Sequence, residues 1–280
     1  MPRWFFKNLI SILVLISLIS CSPPYTQPSK TYGYTLPATT TEAASTVLVT
    51  DYLGQPVEVV DAPRLSVAER RARAAAVKVR PLLGSGHGSG TYMYMFGRRV
   101  VVTAAHVVGA ATVMIVEGRD GETVTGRLVL CDPVTDLAFL VVPEMETRTA
   151  VPYRPQSTYD ERLVGARITY TGFPSHHDLL TIRGYVAALE RGYIITNMFG
   201  WFGSSGSGVY DKAGRFLGVV SAIDVGTFLI PLPLDSIVWV APISSIDQDL
   251  LEARVRTADP AMATKAFPGA AAPRRGGTQP

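Results

Sequence analysis

Short runs of β-branched and aromatic residues recur from Ala76 to Val240, and clusters of Gly, Pro or Asp separate most of them. Runs of this kind, with turn residues between them and almost no helical periodicity, predict short β-strands. Many such strands in succession are typical of an all-β barrel or sandwich. The predicted strands are Ala76–Leu82, Thr91–Phe96, Arg99–Thr103, Thr112–Val116, Thr123–Leu130, Ala138–Val142, Arg167–Tyr170, Leu180–Ala188, Tyr193–Asn197, Gly208–Tyr210, Phe216–Ala222 and Ile237–Val240.

Helices are predicted at the two ends of this region. Ser66-Val67-Ala68-Glu69 has the Ser-x-x-Glu form of a capping box, and Arg and Ala residues that favour helix follow it. Ser245-Ile246-Asp247-Gln248 opens a second helix that continues through Leu251. We therefore expect the strands to lie between a short leading helix and a short C-terminal helix.

Residues 1–20 have the pattern of an export signal. Basic Arg3 and Lys7 precede an apolar run from Leu9 to Ile19, which is too short to span a bilayer stably. Leu18-Ile19-Ser20-Cys21 resembles the lipobox of bacterial lipoproteins, in which the cysteine is acylated and becomes the mature N-terminus. We therefore expect a lipoprotein-type signal peptide and lipidation of Cys21. An ordinary signal peptide and an uncleaved anchor are the alternatives.

Composition divides the rest of the chain into three parts. Residues 21–62 are rich in Pro, Ser and Thr and are expected to form a tether, unless Val47–Val60 adds a strand to the domain. Apolar residues make up 47% of the 280 positions, which is ample for a globular core at residues 63–256. The Ala/Pro/Gly-rich residues 257–280 are expected to be a disordered tail.

Charge and cysteine content narrow the possible functions and the means of stabilisation. The formal net charge of +3 includes Arg3 and Lys7, so the processed chain carries about +1, and nothing indicates nucleic-acid binding. Cys131 is the only cysteine besides Cys21, so lipidation of Cys21 leaves no intrachain disulfide. The fold is then expected to depend on its core alone.

A candidate base and a candidate carboxylate follow apolar strand patterns. The segment Thr103-Ala104-Ala105-His106 ends a predicted strand in an imidazole, which can activate a serine hydroxyl because its pKa lies near the working pH. Asp136 precedes the apolar run that starts at Leu137, where a buried carboxylate could orient the imidazole. Asp132 competes for this role, but it precedes Pro133 and is better explained as a turn residue.

Ser205 is the candidate nucleophile, within Gly203-Ser204-Ser205-Gly206-Ser207-Gly208. The glycines allow a sharp turn that aims the amides of Gly203 and Ser205 at one point, as an oxyanion hole requires. Ser204 and Ser207 are alternative nucleophiles, but only Ser205 has glycine both two residues before it and one after it. This chemistry implies no cofactor.

These segments resemble the trypsin-like serine proteases of the chymotrypsin fold, above all the bacterial envelope proteases of the Deg type and the secreted glutamyl endopeptidases. The resemblance covers about Val77 to Leu251, and the order His, Asp, Ser argues against an α/β-hydrolase. It implies an all-β fold of two six-stranded antiparallel β-barrels with a short C-terminal helix. The motifs that carry it are Gly88-Ser89-Gly90, Thr103–His106, Asp132–Ala138, Tyr170–Pro174, Gly203–Gly208 and Val240–Pro242.

The resemblance also implies roles for single residues. His106 would be the base, Asp136 would orient it, and Ser205 would attack the peptide carbonyl. The residues that would line the primary specificity pocket are Phe199, Ser221, Ala222 and Ile223. None of these four is charged, so a small or apolar side chain is expected before the scissile bond.

The segment His176-His177-Asp178 raises the question of a metal site. Adjacent histidines point in different directions, and no third group of ligands is evident, so a polar hairpin loop is favoured and no metal is expected.

The sequence thus predicts a serine endopeptidase that acts on proteins or peptides and is lipid-anchored in the bacterial cell envelope, on the periplasmic or outer-surface side. The alternative is a non-catalytic or partner-activated lipoprotein that uses a protease-like barrel as a binding module. Bulky Trp201 and Phe202, just before the predicted oxyanion hole, keep this alternative open, because a loop that needs an activating partner would have the same sequence.

Overall fold

The structure, a computed structural model, describes residues 47–50, 56–59, 65–84, 86–155, 159–175, 177–227 and 231–258. The chain divides into two compact units, Met1–Ala62 and Pro63–Pro280. In the first unit, β1 (Val47–Thr50) and β2 (Pro56–Val59) pair as an antiparallel hairpin within the predicted tether. The predicted signal peptide, the lipidation site Cys21 and the tail from residue 259 lie outside the described residues.

The second unit begins its strands with a closed antiparallel barrel. Its strands, and one short strand beside it, are β3 (Ala76–Pro81), β4 (Gly88–Met95), β5 (Arg98–Ala104), β6 (Val113–Glu117), β7 (Thr123–Asp132), β8 (Leu137–Val141) and β9 (Val151–Pro152). Six of them follow the order β3-β6-β7-β8-β5-β4, and pairing of β3 with β4 closes the ring. The remaining strand, β9, adds to β4 in parallel.

A second closed six-stranded barrel follows in the chain. It consists of β10 (Arg167–Gly172), β11 (Leu180–Glu190), β12 (Tyr193–Thr196), β13 (Gly208–Asp211), β14 (Phe216–Thr227) and β15 (Pro231–Pro242). The ring order is β10-β11-β12-β15-β14-β13, and β10 pairs with β13. The prediction of two six-stranded antiparallel barrels is confirmed.

Three α-helices flank the barrels in the described part of the chain. Helix α1 (Val67–Ala75) begins at the predicted capping box, in which Ser66 and Glu69 each bond the other's backbone amide. Helix α2 (Ala105–Val108) is a single turn that was not predicted. Helix α3 (Gln248–Thr257) is the predicted C-terminal helix, but it begins after Asp247 caps it, while Ile243–Ser245 forms a separate 3₁₀ turn. None of the described helices is long and apolar enough to cross a membrane.

Strand alternation on β5 shows how the core joins the two barrels. Val101 points into the first barrel, whereas Val100 and Val102 point out of it, as the twofold period of a strand requires. The outward pair packs in one cluster with Tyr210 and Val219 of the second barrel. Because each fully buried side chain of this size contributes roughly 1.5–3 kcal/mol, this shared cluster holds the barrels against each other.

Candidate active site

His106 and Asp136 are brought together by the pairing of β5 with β8. Ala104 lies opposite Leu137 at the end of this pair, so the residues just beyond the strands are neighbours. His106 Nδ1 lies 2.9 Å from Asp136 Oδ2 and 3.1 Å from Oδ1, and the His106 amide donates to Oδ1 at 3.0 Å. The carboxylate thus holds Nδ1 and leaves Nε2 as the ring nitrogen that can accept a proton.

Asp136 is held as an anion by its hydrogen bonds. Its side chain is 14% exposed, against 51% for His106. Burial raises the pKa of Asp136, but hydrogen bonds from His106 and Ser221, with the charge of His106, outweigh burial and hold this pKa below its usual value. Ser221 Oγ donates to Asp136 Oδ2 at 2.5 Å. A carboxylate that stays ionised can stabilise the imidazolium that forms when His106 takes a proton.

The competing carboxylate, Asp132, faces its own turn. It accepts from the Val134 amide and from the Thr135 hydroxyl, both at 2.9 Å. Of the two candidate aspartates, only Asp136 contacts the imidazole.

Within Gly203–Ser207, two amides have no acceptor among the described residues. These are the amides of Gly203 and Ser205, whereas those of Ser204, Gly206 and Ser207 donate to backbone carbonyls. The two amides predicted to form an oxyanion hole are therefore the two that remain available to a ligand.

Each of these two amides is oriented through the carbonyl of its own peptide group. The Phe202 carbonyl accepts from the Ser175 amide at 2.6 Å, and the Ser204 carbonyl accepts from the Ser207 amide at 2.9 Å. In a planar trans peptide the C=O and the N–H point to opposite sides. A hydrogen bond that fixes the Phe202 or Ser204 carbonyl therefore also fixes the direction of the N–H in the same peptide group. Donors oriented before substrate binds need no reorganisation during reaction.

Ser89, at the start of β4, bonds both residues of the predicted oxyanion hole. Its hydroxyl donates to the Gly203 carbonyl at 2.7 Å and accepts from the Phe173 amide at 2.9 Å. Its amide donates to the Ser205 carbonyl at 2.7 Å. The Ser89 side chain is fully buried, and its own carbonyl accepts from the Thr103 hydroxyl at 2.7 Å. In the described chain, Ser89 therefore supplies the hydrogen bonds that join the first barrel to the Gly203–Ser205 segment.

Glycine is required at two positions of this loop by backbone angle and by space. Gly203 has a φ of 93°, and a Cβ there would lie 2.4 Å from the Phe173 carbonyl oxygen. Gly206 has a φ of 86°, and a Cβ there would lie 2.1 Å from the Ser89 carbonyl oxygen. A side chain at Gly203 would force the loop away from Phe173, and a side chain at Gly206 would force it away from β4.

Ser205 lies beside the His106 helix but is not bonded to it. The half-buried Ser205 and Val107 both contact Gly88, since a Cβ there would meet the Val107 methyls and the Ser205 carbonyl oxygen within 3.0 Å. Across the described ranges, the Ser205 hydroxyl makes no hydrogen bond with His106. Catalytic hydrogen bonds are often long without substrate and shorten in the bound complex.

The predicted pocket residues have different surroundings. Phe199 is 42% exposed, and its carbonyl accepts from the Tyr170 hydroxyl at 2.6 Å. Ala222 is exposed and Ile223 is half-buried. The Ser221 hydroxyl contacts Asp136, a positioning role that sequence reasoning missed because 85 residues separate the two.

Gly200 shows how little space the pocket region has. A Cβ at Gly200 would lie 2.7 Å from a Val238 methyl and 2.8 Å from an Ile223 methyl. The Ile223 and Val238 side chains therefore fill the space next to the Gly200 Cα. Val238 was not among the predicted pocket residues.

The segment His176-His177-Asp178 is only partly described by the structure. His176 lies outside the described residues. Among the residues that are described, no three His, Cys, Asp or Glu side chains come together as metal ligands would.

Comparison with known proteins agrees with this arrangement. Residues 88–219 match the family described as trypsin-like peptidase domain. Over 142 residues the chain is 31% identical to the putative serine protease HhoA of Synechocystis sp., an alignment that covers 51% of this chain and 32% of HhoA. The chain thus spans about a third of the length of this curated relative.

Two solved structures share the fold. The serine endoprotease from Yersinia pestis has a TM-score of 0.56 at 24% identity, with 70% of this chain and 69% of that chain covered. The HtrA-type protease AlgW with tripeptide has a TM-score of 0.52 at 25% identity, with 64% and 59% covered. With two closed barrels, the His-Asp-Ser motif order and these relatives, residues 88–219 resemble a trypsin-like peptidase domain, and the chain is similar to the Deg-type serine proteases.

Proposed function

We propose that this chain is a serine endopeptidase that hydrolyses peptide bonds in proteins or peptides. The observation that carries the proposal is the pair of oriented amides, Gly203 and Ser205, which have no acceptor among the described residues and flank the candidate nucleophile. The His106–Asp136 pair on the facing barrel supplies a base whose Nδ1 is already held. Together with Ser205, these are the groups that acyl transfer to a serine uses, which supports the proposal.

The proposed reaction has two steps. Ser205 Oγ attacks the peptide carbonyl carbon while His106 Nε2 takes the hydroxyl proton, and the amides of Gly203 and Ser205 bind the oxyanion. The C–N bond then breaks, His106 returns the proton to the leaving amine, and an acyl-enzyme remains. Water attacks the ester with His106 again as base, which releases the acid and restores Ser205. Each oxyanion donor typically contributes about 3 kcal/mol to catalysis.

The proposed substrates have a small apolar residue before the scissile bond. Ile223 and Val238 fill the space against Gly200, and no charged side chain takes part in this contact. A long or charged side chain would have to displace a branched apolar one, whereas a small side chain would not.

We propose that the protein is lipid-anchored at Cys21 in the bacterial cell envelope, on the periplasmic or outer-surface side. The lipobox-like Leu18–Cys21 segment after a short apolar run supports this. Growth with a labelled fatty acid should label the wild type, and Cys21→Ser should lose the label and appear in the soluble envelope fraction. Label retained in Cys21→Ser would contradict the anchor.

The test of the peptidase is covalent labelling with a fluorophosphonate probe. The wild type should be labelled, mass spectrometry should map the label to Ser205 rather than to Ser204 or Ser207, and Ser205→Ala should not be labelled. Asp136→Asn should fold and cleave peptide about 10⁴-fold more slowly, because the imidazole would lose its correct tautomer. Hydrolysis retained in purified Ser205→Ala would contradict the assignment.

The second candidate is a binding module, or an enzyme that a partner activates. Two observations favour it: the Ser205 hydroxyl and His106 are not bonded in the described chain, and Trp201 and Phe202 are 36% and 64% exposed on the same loop. Well-folded protein that takes up no probe would support this candidate, and labelling that appears only with added peptide would support partner activation.

A further inference from the structure

The strands β14 and β15 continue past the second barrel as a two-stranded ribbon, which we name the arm. In the arm, Asp224–Thr227 pairs with Pro231–Leu234, and residues 228–230 at its tip lie outside the described residues. Among the described strands neither half has another neighbour, because β13 pairs with β14 only up to Val219 and β12 pairs with β15 only from Val238. The arm therefore has two free edges.

The β14 edge of the arm leads out of the candidate active site. The same strand carries Ser221, whose hydroxyl bonds Asp136, and Ile223, which contacts Gly200. Asp224 follows Ile223 directly. A peptide that lies in extended form along Ser221–Ile223 would therefore reach the arm if it continued for a few residues.

The two edges of the arm differ in their capacity to pair. Pro231 and Pro233 have no N–H, so both must occupy positions at which the ribbon needs no hydrogen bond. The β15 edge thus turns proline nitrogens outward, a feature that blocks strand addition. Val225 lies opposite Pro233 and Thr227 opposite Pro231, so their backbone N–H and C=O groups face outward on the β14 edge.

The outward amide of Val225 is covered by a side chain of its own strand. It donates to the Asp224 carboxylate at 2.8 Å, not to β15. This hydrogen bond is exposed to solvent, so an incoming strand can displace the Asp224 carboxylate with little loss, because water solvates the carboxylate once it is released. The β14 edge is therefore the one that can accept a strand.

Both faces of the arm are apolar beside this edge: Val225 lies on one face, and Leu232 and Leu234, opposite Gly226 and Asp224, lie on the other. Val225, Leu232 and Leu234 are 52%, 48% and 37% exposed, and the sequence from residue 225 to 234 contains no charged residue. A Cβ placed on Gly226 would lie 3.4 Å from the Leu234 side chain. A ligand side chain above Gly226 would therefore reach Leu234 without obstruction.

We propose that the arm binds the substrate segment that precedes the scissile bond, as a strand added to the β14 edge. It selects apolar residues about four to six positions before that bond, since Val225 and Thr227 lie that far along β14 from Ser221. The proposal rests on the proposed peptidase function and adds to it a specificity-determining surface for extended, apolar segments that lie at a distance from the scissile bond.

Binding to Ser205→Ala protein tests the arm without any chemistry. Two fluorescein-labelled peptides have the same residues around the scissile bond. The short peptide extends about three residues before this bond. The long peptide extends about eight residues before it and has Leu and Val at the distal positions. By fluorescence anisotropy the long peptide should bind about tenfold more tightly. Leu232→Ser with Leu234→Ser should reduce that advantage to about twofold or less. N-methylation of the distal residues should remove it as well, because it deletes the strand hydrogen bonds.

Leu250→Ser is the matched control, since Leu250 is a leucine of similar exposure, 42%, on α3. It should keep the full advantage of the long peptide. Equal affinity for both peptides, or an advantage that survives the double substitution, would overturn the proposal. A third result would also overturn it. If sedimentation showed that the wild type is a dimer, that the doubly substituted protein is a monomer, and peptide affinity were unchanged, the arm would be a self-association surface. Probe labelling of Ser205 in the otherwise wild-type protein reports separately on the peptidase.

Discussion

Replacement of Ser89 by alanine tests how the position of the Ser205 loop affects catalysis, because it leaves the other groups of the site unchanged. Ser89 does not contact His106, Asp136 or the Ser205 side chain through any hydrogen bond in the described chain. The substitution removes only its hydroxyl, which donates to the Gly203 carbonyl and accepts from the Phe173 amide. The amide of Ser89 still donates to the Ser205 carbonyl, so the loop loses one of the two hydrogen bonds that Ser89 makes with it.

The cost to stability comes from two buried hydrogen bonds. Each is worth about 1 kcal/mol net, and leaving the Gly203 carbonyl and the Phe173 amide unpaired adds desolvation cost, so we expect a loss of about 2–4 kcal/mol in the free energy of unfolding. The effect of the substitution on kcat should be separate from its effect on the free energy of unfolding. Complete loss of one oxyanion donor lowers kcat about 10²- to 10³-fold, and a Gly203 amide that is displaced but still present should lower it about 10- to 100-fold.

The assay is steady-state cleavage of a short peptide, with the rate of fluorophosphonate labelling as a second readout. We expect kcat to fall and KM to change little, because the oxyanion amides act on the transition state more than on the bound substrate. Urea titration first establishes that Ser89→Ala is folded under the assay conditions.

Thr169→Val is the matched control. Thr169 is 5% exposed, and its hydroxyl donates to the Ile182 carbonyl at 2.9 Å within the second barrel. It should lose stability without losing kcat. If Ser89→Ala lost stability by the expected amount and kept its kcat, Ser89 would be a structural residue only, and the reasoning about loop attachment would be refuted.

Two further predictions concern stability and specificity. The Arg183 guanidinium bonded to Glu69 holds the pKa of that carboxyl at about 2, below its ordinary 4.5. A lowered folded-state pKa stabilises the protein above about pH 4.5, and this stabilisation is lost as pH falls towards about 2. Because the Arg183 side chain is 40% exposed, we expect a loss of only about 1–2 kcal/mol in urea titrations, and Arg183→Met should reduce this pH dependence but leave the part that the Ser66 amide contributes. Ile223→Ala should raise kcat/KM for Leu relative to Ala before the scissile bond by about tenfold, since it frees space beside Gly200 and Val238. An unchanged Leu-to-Ala ratio would contradict the pocket assignment.

Most of the fold was predictable because strand-forming residues mark the strands locally. Each predicted run coincides with an observed strand, from Ala76–Pro81 to Pro231–Pro242, although the bounds shift. The misses have physical causes. Gly88-Ser89-Gly90 has poor β-propensity, yet pairing with β3 makes it strand. Pro231 and Pro233 argue against a strand, but they are tolerated on the outer edge of the arm.

The candidate site was predictable only as far as its motifs are local. His106 and Asp136 stand beside apolar runs that end in the strand pair, and the structure joins them at 2.9 Å. Ser89 and Gly203 are 114 residues apart, and Ser221 and Asp136 are 85 apart. No periodicity or spacing in the sequence connects such partners, because only the closure of the barrels and their packing brings them into contact.

The proposed reaction depends on how the two barrels pack against each other, because the hydrophobic cluster that they share sets their relative position. The first barrel carries His106 and Asp136 and the second carries Ser205, so neither contains a complete set of reacting groups. A rigid rotation of one barrel against the other would change the distance from the imidazole to the hydroxyl while each barrel kept its own hydrogen bonds. Substitutions that loosen Tyr210 or Val219 in the cluster should therefore lower turnover before they unfold either barrel. The rate of peptide cleavage by this protein would then report on how firmly the two barrels are packed together.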